Sequence, residues 1–195
     1  MFRRPRVASG HPHGRILPAP GLRAGLIATI VLAGCTTAPT PSLPPDFDPV
    51  AAVATIRAAG TASGDELDVQ PLIDPQVADL REEAAALEAS HLYLAAAERI
   101  DEALGIVPDD PSVLQQRAEL ALLLGEPDMA ELLALRVRSI GTAVGPLCRR
   151  AWETMIQARK AGSRPPAAES GLPRVSVEEA ARRRDACTVA PPPRY

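Results

Sequence analysis

Residues 74–104, DPQVADLREEAAALEASHLYLAAAERIDEAL, decide the fold. Aspartate followed by proline opens the stretch. The aspartate side chain accepts from the free N–H groups of a starting helix, and proline suits the first turn. Val77, Leu80, Ala84 and Leu87 then recur at helical spacing, as do Tyr93, Ala96, Ala97, Ile100, Ala103 and Leu104. Each set lines one helix face. Ala89 to Leu92 is too short for anything but a tight connection, so the two helices lie antiparallel. Pro108 ends the second.

A second hairpin follows. Asp110-Pro111 opens it, and Leu80, Ala84 and Ala96 return as Leu114, Ala118 and Ala130, each 34 residues on. This period resembles the tetratricopeptide repeat, as do the small residues in the first helix (Ala84, Ala118) and early in the second (Ala96, Ala130). Those positions are small because the paired helices approach closely there. Tyr93 and Ile100 fill the large positions of unit one, and Gly125 makes the turn of unit two. Glu83 and Arg117 stand where leucine is common in the family, and Ala134 replaces a bulky residue.

A third unit begins with Cys148, Ala151, Trp152, Met155 and Ile156 on a helix over 146–161. Gly162 to Pro166 (GSRPP) then breaks the chain, and no second helix of this unit is expected to follow. Solenoids need a terminal element over the last face. The helix reads as that cap with Trp152 in the core, the alternative being Trp152 as an exposed ligand-stacking residue. The expected fold is therefore all-α: a short solenoid of about two and a half tetratricopeptide-like helical hairpins with a capping helix. Upstream, Asp48-Pro49 starts a short helix over Val50–Ala59, stopped by Gly60. Glu66 to Leu72 (ELDVQPL) reads as an extended segment against the repeats, with Pro71 arguing against a central strand.

The N-terminal part reads as an address. Arg3, Arg4, Arg6, Arg15 and Arg23 precede an uncharged stretch, Ala24 to Gly34 (AGLIATIVLAG). As a helix it covers roughly 16 Å, about half the hydrocarbon thickness. It is a leader core and not a span. Leu32-Ala33-Gly34-Cys35 closes it and resembles the lipobox of bacterial lipoproteins. The resemblance implies that residues 1–34 are removed and that Cys35 carries several acyl chains, palmitate among them, which anchor stably where one chain does not. An ordinary signal peptide with a coincidental cysteine is the alternative. Thr36 stands where aspartate holds many such proteins in the inner membrane, so the expected location is the cell envelope, at the periplasmic face of the outer membrane. Thr36 to Pro45 (TTAPTPSLPP) has four prolines in ten residues. It reads as a tether of polyproline geometry, about 30 Å in reach. The expected domains are a leader (1–34), a tether (35–46), a helical domain (47–161) and a tail (162–195).

The whole chain has 21 basic and 24 acidic residues; without the leader's five arginines, 16 face 24, a net charge near −8. No basic stripe follows Cys35, so nucleic acid is not an expected partner. Cys148 and Cys187 are an even pair in an exported chain and read as a disulfide, with two buried thiols as the alternative. Ser176-Val177-Glu178-Glu179 is a capping-box pattern whose short helix runs to Ala186 and delivers Cys187.

No chemistry-bearing constellation follows. His91, alone among histidines after Cys35, sits in the first hairpin turn. No nucleophile elbow, phosphate loop or metal-ligand spacing occurs, so neither an enzyme, a metal nor a cofactor is expected. The expected function is a lipid-anchored module binding a protein or peptide segment. By resemblance to the family, Arg81, Gln115, Glu119 and Arg149 face the concave groove that would hold it. The lysine-and-asparagine set with which some relatives clamp a terminal carboxylate is absent. The alternative is a structural accessory subunit docking through its convex face or its tail.

Overall fold

Three aspartates do start helices where the pattern asks for them. Asp48 Oδ1 accepts from the N–H groups of Val50 and Ala51 at 2.9 and 3.1 Å. Asp74 does the same for Gln76 and Val77, and Asp110 for Ser112 and Val113. Each is followed by proline at the first helical position. The computed structural model describes residues 43–61, 72–164 and 175–188. Among them lie seven helices and no strand: α1 (Pro49–Ala59), α2 (Pro75–Ala89), α3 (Tyr93–Ile106), α4 (Pro111–Leu123), α5 (Pro127–Ile140), α6 (Pro146–Lys160) and α7 (Val177–Ala186). Cys35, the leader and most of the tether lie outside the described residues, as does the extended segment expected before Leu72.

Helices α2 and α3 form one hairpin and α4 and α5 the next, stacked through α3 against α4. The fold is all-α and tetratricopeptide-like. The four small sites are sealed, with Ala84, Ala96, Ala118 and Ala130 at most 1% exposed. A side chain longer than methyl there would hold the paired helices apart. The two hairpin turns also correspond. His91 has φ 59° where unit two has Gly125 at φ 75°. In each, the next residue's N–H reaches back into the helix, Leu92 to Leu87 O and Glu126 to Ala121 O, closing a Schellman-type end. Histidine is among the non-glycine residues that tolerate this region best.

Helix α6 packs on α5 and α4, with Trp152, Met155 and Ile156 buried. Trp152 lies in the core, not at the surface. The expectation that the third unit lacks a second helix is amended. Helix α7 returns after the proline-broken stretch and packs against α6, so that the last pair is α6–α7. Cys148 and Cys187 are bridged across this seam, their Cα atoms 5.8 Å apart. Ser176 caps α7 through the N–H of Glu179, as the capping box requires.

Candidate interaction cleft

Helix α1 packs on α4 and α6, the first helices of the second and third pairs. Val53 and Ile56 sink among Ala121, Leu122, Ala158 and Ala161, and Leu43, from the stretch read as tether, joins them with Phe47. The small side chains of α4 and α6 let the helix approach. The chain thus fills part of its own groove.

What remains open is a cleft of about 630 Å³ between the end of α1 and the first helices of the repeats. Helix α2 contributes Arg81, Ala85, Glu88 and Ala89, spaced along one face. Ser112, Gln116 and Glu119 come from α4, Arg150 from α6, and Arg57, Gly60 and Thr61 from the end of α1. Gly60 is small for contact rather than conformation. A Cβ there would stand 2.3 Å from Arg150 Cγ.

Two carboxylates organise the cations. Glu119, fully buried, accepts from Arg57 Nε at 2.9 Å, Arg150 Nε at 3.0 Å and Gln115 Nε2 at 2.9 Å. Glu88 takes the other end of Arg57, with contacts of 2.8 and 3.0 Å to the two Nη atoms. The Arg57 guanidinium is held above its usual pKa, first by the Glu88 hydrogen bond and, against desolvation, by the charge of Glu119. Arg81 is different. Its Nε donates to Gln116 Oε1 at 3.0 Å and its Nη1 approaches Ser112 Oγ at 3.4 Å, and it meets no carboxylate among the described residues.

Of the four residues expected to face the groove, Arg81 and Glu119 line the cleft. Gln115 is fully buried at the α4–α6 seam, where it donates to Thr154 Oγ1 at 2.8 Å. Arg149 is 8% exposed and clasps the end of α1, donating to Ala59 O at 2.9 Å and Thr61 O at 3.1 Å. Gln115 ties α4 to α6 and Arg149 holds the end of α1, instead of presenting an open surface. Gln116 and Arg150 reach the cleft in their place. One residue along a helix turns a side chain by about 100°, so a one-residue error of register is enough. Arg57 carried no signal in the sequence, because nothing in PVAAVATIRAA states which surface α1 covers.

The remaining candidates are quickly placed. His91 is exposed, and its Nδ1 lies 2.7 Å from Tyr93 Oη. Among the described residues no group of three or more His, Cys, Asp or Glu is placed to hold a metal. No described helix is long and apolar enough to cross a membrane. No protein-family model matches the chain, and no curated protein matches it in sequence. Among solved structures it is similar to the globular C-terminal domain of P. aeruginosa LpoP, at 28% identity and a TM-score of 0.48, over 60% of this chain and 100% of that one.

Proposed function

We propose that the chain is a non-enzymatic, lipid-anchored interaction module of the bacterial cell envelope, holding a peptide or protein segment in the cleft between α1, α2 and α4. The observation that carries the reading is the cleft itself. It is lined by residues of α2, α4 and α6 with the end of α1, and contains a guanidinium, Arg81, in direct contact with no carboxylate among the described residues. Support for the anchor is the lipobox-like Leu32-Ala33-Gly34-Cys35 behind an arginine-bearing leader. On this reading residues 1–34 are cut away, Cys35 is acylated, residues 36–46 tether the domain, and the outer membrane's periplasmic face is the site of action.

A second reading, an accessory subunit docking through its convex face, is favoured by α5. Met129, Leu132 and Ile140 are 43%, 45% and 42% exposed at helical spacing on its outer side. One experiment separates the two. Cells expressing the tagged full chain are fed an alkyne fatty acid, and the protein is pulled down from solubilised envelopes. The wild type is expected to carry label and co-purify envelope proteins. Cys35→Ser is expected to lose the label, and Ala85→Trp, which fills the cleft, to lose the partner; Leu132→Glu is expected to lose neither. Label retained by Cys35→Ser overturns the anchor. Partner loss in Leu132→Glu with retention in Ala85→Trp replaces the cleft with the convex face.

A further inference from the structure

We infer that the cleft reads a peptide segment bearing one isolated acidic side chain, an aspartate or glutamate whose carboxylate docks on Arg81. This rests on the interaction-module reading above and adds the chemistry of the partner. Three observations point to it. Arg57 and Arg150 are already committed to Glu88 and Glu119, so among the described lining residues Arg81 is the guanidinium with no direct carboxylate contact. Arg81 is oriented by neutral acceptors that do not discharge it. Gln116 Oε1 takes its Nε–H, and Ser112 Oγ, itself donating to Asp110 Oδ1 at 2.7 Å, lies beside Nη1. A guanidinium has five N–H donors, so an edge remains for a carboxylate in fork geometry.

The third observation sets the charge and size of the ligand. A polyanion would meet Glu88 and Glu119 in the same walls and a domain with an excess of acid beyond Cys35. One carboxylate matches the one guanidinium that lacks a direct carboxylate contact among the described lining residues. One and two turns along α2 from Arg81 the lining is Ala85 and Ala89, whose short side chains leave the approach to the guanidinium open. Neighbouring residues of the segment are neutral or basic.

The test uses the full chain purified in detergent and two fluorescent peptide pools, acetylated and amidated so that no terminal charge contributes. One pool has glutamate at its centre and the other glutamine, each flanked by four positions randomised over Ala, Gly, Thr, Leu and Lys. The wild type is expected to bind the glutamate pool about ten-fold more tightly, the scale of one charge-assisted hydrogen bond. Arg81→Gln is expected to abolish that preference and Arg81→Lys to keep part of it. Equal binding of the two pools, or a preference that survives Arg81→Gln, overturns the carboxylate and leaves the module standing. Binding of neither pool, together with Ala85→Trp leaving the envelope pull-down unchanged, overturns the module as well.

Discussion

Trp152→Ala is expected to destabilise the folded chain by about 3–5 kcal/mol, the range for removing a large buried aromatic side chain. Trp152 stands at the junction of three helices. It is 7% exposed on α6, in a cluster with Ala134 of α5 and Ala180 of α7. Two guanidiniums lie over it, Arg138 of α5 and Arg183 of α7, each 5.4 Å from the ring centroid. Arg138 is held below its ordinary pKa by desolvation first and then by the charge of Arg183. The electron-rich ring face is what makes two adjacent cations tolerable. Alanine removes the filling and the face together. Urea unfolding followed by circular dichroism measures the loss, because the chain's single tryptophan is gone from the variant. A change under about 1 kcal/mol would show that the ring is not packed as described.

Removing the bridge is expected to cost about 4 kcal/mol in the chain-entropy model, for a closure spanning 39 residues. Both cysteines are buried, and the carbonyl of Cys187 also accepts from the N–H of Gly145, the N-cap of α6, at 2.8 Å. The double variant Cys148→Ser, Cys187→Ser should therefore loosen α7 first. Hydrogen exchange in residues 177–186 is expected to rise well before exchange in α2 and α3. Combined with Trp152→Ala, the losses should fall short of the sum, because both act on the α6–α7 seam. Unchanged exchange in α7 would show that packing alone holds it.

Local chemistry made much of this fold readable. The Asp-Pro pairs at 48, 74 and 110 cap helices through bonds that span two or three residues, so sequence alone contains both partners. The alanines at 84, 96, 118 and 130 report close approach directly. Long-range placement was not readable. Helix α1 is short and rich in alanine, and the carboxylates that hold its Arg57 lie 31 and 62 residues away, Glu88 and Glu119. Without that placement, Gln115 and Arg149 read as groove residues, and nothing in the sequence singles out Arg57, Gln116 or Arg150.

Helix α6 misleads for a related reason. Arg149, Glu153, Thr154 and Gln157 are all buried, although polarity alone would put them at the surface. Neighbours on every side satisfy them. Arg184 of α7 reaches Glu153 at 2.6 Å, Gln115 of α4 reaches Thr154, and Gln157 bonds back to Glu153. Farther along α6, Arg159 pairs with the fully buried Glu131 of α5 at 2.9 Å. Buried charges persist only when paired and hydrogen-bonded in this way.

The central claim is that a partner occupies the cleft between α1, α2 and α4. The most direct measurement places a photo-crosslinking amino acid at position 85, inside the cleft, and separately at position 132, on the outer side of α5, in the full chain in living cells. Irradiation is expected to join an envelope protein or peptide to position 85, with little adduct at 132 and with the position-85 adduct lost on adding Arg81→Gln. Adducts at 132 with none at 85 would contradict the account.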